Sequence, residues 1–344
     1  MRTFRIEIEG LVQGVGFRPF VYKLASSMNL EGTVENLNTG VRIMINTQNG
    51  SLKKFIKRIW SEAPLQSHIE SVIVNEVELT AYSGFTINRS NNLPGKITRI
   101  SPDIAACDDC LADMQEQVHR IKYPLVNCTN CGPRFSIITG LPYDRPMTTM
   151  ARFKMCRICH DEYENVNNRR FHAQPVACNA CGPRYSMTID NFEVREIIDV
   201  VKLAAEIIDG GGTLAAKGMG GYHMLCDAMN EGAVASLRRA KGRDSKPFAV
   251  MCRDLSFVKK IASPEPVEIR ALQSWQRPVI VLKGGDTLAS SVADTLDTVG
   301  IILPYMPFHY LLFNKMETSV VVFTSANLSD EPVITDDEEA IEKL

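Results

Sequence analysis

Eight of the ten cysteines fall in four C-x-x-C pairs: Cys107/Cys110, Cys128/Cys131, Cys156/Cys159 and Cys178/Cys181. Seventeen residues separate the first two pairs and eighteen the last two. That is the spacing of a tetrahedral zinc site, in which each tight turn presents two thiolates to one ion. Four thiolates leave no coordination position for a substrate, so two structural zinc ions are expected rather than disulfides or an iron–sulfur cluster. Spacing does not settle whether the pairs combine in sequence or interleave. A second chemical pattern is the glycine-rich turn Gln13-Gly14-Val15-Gly16-Phe17-Arg18. Its glycines let successive amides converge before a helix start, which suits a phosphate, and Arg18 can clamp phosphate oxygens. Pattern alone leaves open a plain strand–helix turn with a surface arginine. A third is the trio Lys241, Arg243 and Lys246, a density of positive charge that suits a triphosphate. Ser325 and Asn327 could add neutral hydrogen bonds there. A solvated helix end is the alternative.

The elements that must position these groups follow from periodicity. Phe4, Ile6 and Ile8 alternate with charged residues as in a half-buried strand. A helix carrying Phe20, Val21, Leu24, Ala25 and Met28 follows, with Pro19 in its first turn. Strands are expected at 32–36, 41–46, 72–79 and 85–88, with a helix capped by Ser51 and carrying Leu52, Phe55, Ile56, Ile59 and Trp60. The order βαββαβ is ferredoxin-like. Asn91 to Gly95 reads as a linker. Residues 91–195 are rich in proline and irregular apart from a helix near 108–118, so metal should supply much of their folding free energy. From 196 onward the pattern is α/β. Helices are expected at 197–209 and 231–240, with strands at 213–217, after the basic turn, and at 277–283 and 320–323. The fold class is therefore α+β and multidomain, divided at 1–90, 91–195 and 196–344.

Composition narrows the function. The 344 residues carry a net charge of −2, with 45% hydrophobic and 23% charged residues. Such a balance offers no basic surface for nucleic acid, and Arg169-Arg170-Phe171-His172 is too short a run to change that. No stretch of eighteen apolar residues suggests a membrane span. The strict alternation at the N-terminus does not resemble a signal peptide. A reducing cytoplasm is expected, which favours metal over disulfide. His172 is a conceivable substitute ligand, though four cysteines already suffice. Cys226 and Cys252 read as buried core thiols.

The wording of the motifs goes further. Val12-Gln-Gly-Val-Gly-Phe-Arg18, with Gly32-Thr-Val-Glu-Asn36 downstream, resembles the acylphosphatase signature. The resemblance implies that Arg18 and the amides of residues 13–17 hold a phosphoryl group while Asn36 orients the attacking water. Lys241-Gly-Arg-Asp-Ser-Lys-Pro-Phe, the Thr324-Ser-Ala-Asn turn and Lys217-Gly-Met-Gly-Gly-Tyr-His resemble YrdC-like domains, which join a carbonate-derived substrate to AMP. By that likeness Lys241 and Arg243 contact phosphates, Ser325 and Asn327 hold nucleotide, and Lys217 and Lys246 are weaker nominees. That domain is expected to be incomplete at its C-terminus, where the chain ends in the acidic stretch from Asp336. Together with the doubled four-cysteine module, these parts resemble the HypF family of carbamoyltransferases in [NiFe]-hydrogenase maturation. The resemblance implies zinc at both cysteine sites, and carbamoyl phosphate and ATP (with Mg) as substrates. It also implies transfer to a HypE-like acceptor by a domain absent here. The tRNA-threonylcarbamoyl branch of YrdC-like enzymes is the alternative.

Overall fold

The computed structural model describes residues 1–90, 99–190, 192–243, 246–284, 287–294, 296–327 and 331–344. The linker expected at Asn91 to Gly95, and Asp244 and Ser245 of the basic turn, lie outside the described residues. The chain divides into two compact units, residues 1–103 with 127–182 and residues 104–126 with 183–344.

The first unit begins β1 (Arg2–Leu11), α1 (Phe17–Ser27), β2 (Glu31–Leu37), β3 (Gly40–Thr47), α2 (Asn49–Glu62), β4 (His68–Val77), β5 (Phe85–Ile87). The sheet order is β4-β1-β3-β2-β5, the ferredoxin-like order with one strand added. Phe4, Ile6 and Ile8 are buried, as their alternation requires, against Val21, Leu24 and Phe55 of a core that includes both helices. Three boundaries differ from expectation. Helix α1 stops at Ser27, leaving Met28 as its C-cap. Helix α2 starts at Asn49 behind an extended Gln48, so Ser51 lies inside its first turn and caps nothing. Strand β4 starts at His68, because a bulge between Glu9 and Gly10 lets β1 continue pairing to Leu11.

Helices α3 (Asp108–Glu116) and α4 (Arg157–Glu164) start inside the first and third cysteine pairs, with Cys107 and Cys156 as N-caps and Cys110 and Cys159 in their first turns. Within 127–182 the remaining regular structure is short 3₁₀ turns. Loops of this kind leave carbonyls without ladder partners, and buried arginines take their place. Arg145 Nη1 donates to the carbonyls of Gln174 (2.7 Å) and Val176 (2.9 Å), and its Nη2 to that of Phe153 (2.8 Å). Arg134 Nη2 donates to Cys128 O (3.1 Å) and Thr129 O (2.9 Å). Arg170 Nε donates to Asn127 O at 3.0 Å, and its guanidinium pairs with Glu162 at 3.6 Å. Arg170 and Phe171 are thus interior, and the 169–172 run is structural.

In the second unit β6 (Met187–Ile189) and β7 (Phe192–Val194) form a hairpin before α5 (Ile197–Asp209). Then come β8 (Leu214–Gly218), β9 (Gly221–Asp227), α6 (Glu231–Ala240), β10 (Ala249–Cys252), α7 (Leu255–Ile261) and α8 (Pro266–Leu272). They are followed by β11 (Ile280–Lys283), α9 (Ser290–Ala293), β12 (Thr298–Ile302), α10 (Pro307–Lys315), β13 (Val320–Ser325) and α11 (Asp337–Lys343). The sheet order is β11-β12-β10-β13-β9-β8, with β10 and β12 parallel. Its two faces bury different clusters. Val320 and Val322 of β13 join Val250, Leu237 and Val258 on one side, while Val321 and Phe323 join Ala204, Ile208 and Phe308 on the other. A strand buried on both faces reads as an unbroken apolar run, as Val320 to Phe323 does. Cys226 and Cys252 are fully buried in the first cluster, and burial pushes each thiol up to about 12.

A buried histidine and a half-buried one sit on the other face. His309 is 4% exposed, and its Nδ1 accepts the Met306 amide at 3.4 Å. His223 stacks on Phe323 with ring centroids 4.3 Å apart. Burial lowers His309 to about 3 and His223 to about 4.

Two outcomes are expected. Arg145→Met leaves three buried carbonyls without a donor, at about 1–3 kcal/mol each, and should lower the thermal midpoint and speed metal release to a chelator. The histidines are neutral when folded, but the unfolded chain takes up protons below pH 6.5. Stability should therefore fall as pH drops from 6.5 toward 4, by about 2 kcal/mol from His309 alone at pH 5. Urea titrations at pH 7 and 5 measure the loss, and His309→Gln should shrink it.

Candidate functional sites

The glycine-rich turn sits between β1 and α1. Gly14 and Gly16 have φ of 73° and 76°, the left-handed region that glycine enters without strain. Val15 and Phe17 point inward and are buried, so what they offer a ligand is backbone. Among the described residues the amides of Gly14 to Arg18 donate to no protein acceptor. They lie at the N-terminus of α1, where the helix dipole favours an anion.

Arg18 is 7% exposed and is held from one side. Its Nη2 donates to Asp144 Oδ1 at 2.6 Å and Tyr143 O at 3.4 Å, and its Nη1 to Ser90 Oγ at 3.4 Å. Ser90 Oγ in turn donates to Asp144 Oδ2. Asn36, at the end of β2, donates from Nδ2 to Tyr143 O at 3.2 Å, and its buried Oδ1 has no partner. Gln13 braces the turn. Its Nε2 donates to Leu37 O (2.5 Å) and Gly40 O (2.9 Å), and its Oε1 accepts the Tyr143 amide at 3.0 Å. The turn thus places Arg18, Asn36 and the loop residues around one recess, and puts the Gln13 side chain to structural use. The recess is ≈ 330 Å³ counted to its mouth, and its far wall is Thr129, Arg134, Tyr143 and residues 172–175. That wall, with Asp144 and Ser90, was not legible in advance. Pro142-Tyr-Asp-Arg-Pro146 marks a turn, and nothing local says which strand it meets.

His172 lines the same recess, its ring 4.9 Å from that of Tyr163 and 4.6 Å from that of Phe171. Burial, with the charge of Arg18, lowers it to about 4, so it is neutral at pH 7. It belongs to neither metal group.

The thiols combine in sequence order. Cys107, Cys110, Cys128 and Cys131 form one group and Cys156, Cys159, Cys178 and Cys181 the other, with all Sγ atoms of a group within 4.8 Å. Cys128–Cys131 and Cys156–Cys178 are 3.7 Å apart and Cys178–Cys181 3.8 Å. A disulfide needs about 2.05 Å, whereas a tetrahedron with Zn–S of about 2.3 Å has edges of about 3.8 Å. The donor set and spacing fit zinc.

In the second unit Lys241, after α6, donates from Nζ to Ser325 O (2.5 Å) and Asn327 O (3.0 Å) at the end of β13. Arg243 donates to Thr324 Oγ1 at 3.1 Å and Pro247 O at 2.7 Å. Ser325 Oγ donates to Asn327 Oδ1 at 2.7 Å. Arg243 lies 4.8 Å from the Phe248 ring centroid, and Arg238 4.7 Å from the same centroid. Burial lowers Arg243, helped by Arg238, and lowers Lys241, helped by Arg243. Four of the six expected nucleotide residues therefore meet at one strand end. Lys217 instead pairs with Asp337 of α11 at 2.5 Å, and Tyr222 Oη donates to the same carboxylate at 2.8 Å. Lys246 is exposed. Its carbonyl accepts Arg243 Nε at 3.1 Å.

Residues 4–87 match the acylphosphatase family, residues 106–138 and 155–188 the HypF finger, and residues 206–344 the Sua5/YciO/YrdC family, described as telomere recombination. The carbamoyltransferase HypF of Rhodobacter capsulatus is 41% identical over 345 residues, which is 100% of this chain and 46% of that one. The probable carbamoyltransferase HypF of Methanocaldococcus jannaschii is 38% identical over 346 residues, 99% of this chain and 45% of that one. An acylphosphatase of Thermotoga maritima is 34% identical over 88 residues, 25% of this chain and 97% of its own. A crystal structure of full-length HypF in a phosphate- and nucleotide-bound form matches with a TM-score of 0.93 at 44% identity, covering 100% of this chain and 45% of that one. The structure of T. kodakarensis HypF matches at 0.90 and 42% identity, covering 99% and 44%. The chain spans a little under half the length of these carbamoyltransferases, and over that span it belongs to the HypF family.

Proposed function

We propose that this chain carries the first two steps of a carbamoyl transfer, in three parts: 1–90, 91–195 and 196–344. At the first cradle water attacks the phosphorus of carbamoyl phosphate in line with the leaving oxygen, giving phosphate and carbamate. The amides of residues 13–17 and the Arg18 side chain hold the phosphoryl group, and Asn36 orients the water through its unpaired Oδ1. No side chain need form a covalent intermediate, since positioning and charge stabilisation suffice for this type of reaction. The two four-cysteine groups hold zinc as structural ions, in the reducing cytoplasm that keeps thiols available. At the second cradle the carbamate oxygen attacks the α-phosphate of ATP-Mg, releasing pyrophosphate and leaving carbamoyl adenylate. Lys241 and Arg243 face the phosphates, and Ser325 and Asn327 hold the nucleotide.

The observation that carries this reading is the likeness, over all of this chain and 45% of the other, to a HypF whose structure was obtained with phosphate and nucleotide bound, together with two basic recesses. Transfer to a HypE-like acceptor, for cyanide-ligand synthesis in [NiFe]-hydrogenase, lies beyond the residues present. A threonylcarbamoyl-adenylate activity is disfavoured, because the acylphosphatase-like cradle has no task in a reaction that starts from bicarbonate.

Arg18→Ala should lower kcat/KM for carbamoyl phosphate by about 10²–10³ with metal content unchanged, measured by phosphate release. Survival of full hydrolysis defeats the assignment. Lys241→Ala should abolish ATP–pyrophosphate exchange supported by carbamoyl phosphate and leave phosphate release intact. Exchange that instead requires bicarbonate and threonine favours the alternative.

A further inference from the structure

Two arginines, Arg18 and Arg134, line the recess at the glycine-rich turn. All three nitrogens of Arg134 donate to backbone carbonyls: Nε to Gly14, Nη1 to Pro133, Nη2 to Cys128 and Thr129. That side chain serves the fold. Arg18 bonds through Nη1 and Nη2 alone. A guanidinium has five N–H groups, so Nε and one hydrogen of Nη1 are without a partner among the described residues.

The contacts that hold Arg18 close into a ring. Asp144 Oδ1 accepts Nη2 at 2.6 Å, Asp144 Oδ2 accepts the Ser90 hydroxyl, and Ser90 Oγ accepts Nη1 at 3.4 Å. Both oxygens of the half-buried carboxylate are therefore engaged. Its backbone is fixed as well. The Tyr143 amide donates to Gln13 Oε1 at 3.0 Å and the Arg145 amide to Gln174 Oε1 at 2.8 Å, while Asp144 O accepts the Met147 amide at 2.8 Å. An aspartate clamped on both sides can set the plane of a guanidinium, which a loose surface aspartate cannot.

Charge alone is a poor reason for an acid at this place. A carboxylate beside a phosphate-type cradle opposes the anion the cradle should take. What it supplies is orientation. An arginine held in place beforehand gives up less freedom on meeting an anion, and small misplacements of a positioning group are costly in rate. The acylphosphatase match ends at residue 87 and the finger match omits 139–154, so Ser90 and Asp144 both lie outside the matched segments.

We propose that Asp144 is a positioning residue for the first cradle: with Ser90 it fixes the Arg18 guanidinium in the orientation that serves phosphoryl transfer. This rests on the hydrolysis proposed above.

The test is a double-mutant cycle on carbamoyl phosphate hydrolysis, read as phosphate release by the whole chain with zinc bound. Asp144→Ala should lower kcat by about 10–100-fold with zinc content unchanged. Asp144→Asn keeps an acceptor for Arg18 and should recover most of that loss. On the Arg18→Ala background, Asp144→Ala should change the rate by less than about twofold, because a residue that acts through Arg18 has nothing left to act on. A full rate in Asp144→Ala overturns the assignment. So does a loss that Asp144→Asn shares in full, which would mean that the carboxylate only neutralises a buried cation. An equal loss on the Arg18→Ala background, or loss of zinc, overturns it too, since Asp144 would then act on the fold. Hydrolysis left intact by Arg18→Ala is a different failure: the hydrolytic reading falls first, and the positioning role with it.

Discussion

Four sulfurs drawn within 4.8 Å of one another, twice over, are the constraint on which the middle of this chain depends. Thiolates at that distance repel unless a cation sits among them. The segments between them have little helix or sheet to hold them otherwise. Those segments carry Thr129, Arg134, Tyr143 and Asp144, the residues that close over the phosphate-type cradle. The loops beside the cysteine groups therefore also shape the recess around Arg18 and Asn36. Hydrogen bonds then do what a hydrophobic core does elsewhere. Buried guanidinium groups fan out to loop carbonyls, and each arginine replaces several missing ladder contacts.

The placement of these arginines alters how the composition should be understood. A chain with 38 basic residues against 40 acidic ones appears electrostatically neutral. Arg18, Arg120, Arg134, Arg145 and Arg170 are nonetheless nearly inaccessible to water. Their charge acts inward, on carbonyls, on Asp144 and on Glu162. Arg18 differs in lining a recess with the loop residues, one terminal nitrogen tied to Asp144 and the other to Ser90. An arginine pinned in this way loses little rotamer freedom when it meets an anion.

Much of the architecture could be read directly from the chain. Alternation at Phe4, Ile6 and Ile8 gave β1, and the apolar stripe at 197–208 gave α5 with its limits intact. The cysteine spacing gave both thiol groups and, once folded, their order. The misses share a cause. Strand β9 reads as a glycine-rich loop because Gly218 to Gly221 dominates its start, yet Tyr222 to Asp227 pairs on both edges. Strand β12 carries Gly300 at its centre, where Val279 packs 3.1 Å from the position a Cβ would take. Ser51 looked like a cap but lost to the extended Gln48 two residues before α2 could reach it. At the first cradle the loop, Arg18 and Asn36 could be nominated because they sit in two short motifs, 12–18 and 32–36. Asp144, Tyr143 and His172 were not, because their roles arise from contacts more than a hundred residues away in sequence. The pairing of Lys217 with Asp337 was not legible for the same reason, since the two are 120 residues apart.

The two guanidinium groups gathered at the Phe248 ring have an effect beyond phosphate recognition. Each lies within 5 Å of the same ring centre, and Arg238 already depresses its neighbour. Aromatic attraction holds them there against mutual repulsion. Replacing Phe248 by an aliphatic residue would remove that attraction and leave two like charges at close range, so this ring holds the basic corner together as well as filling the core.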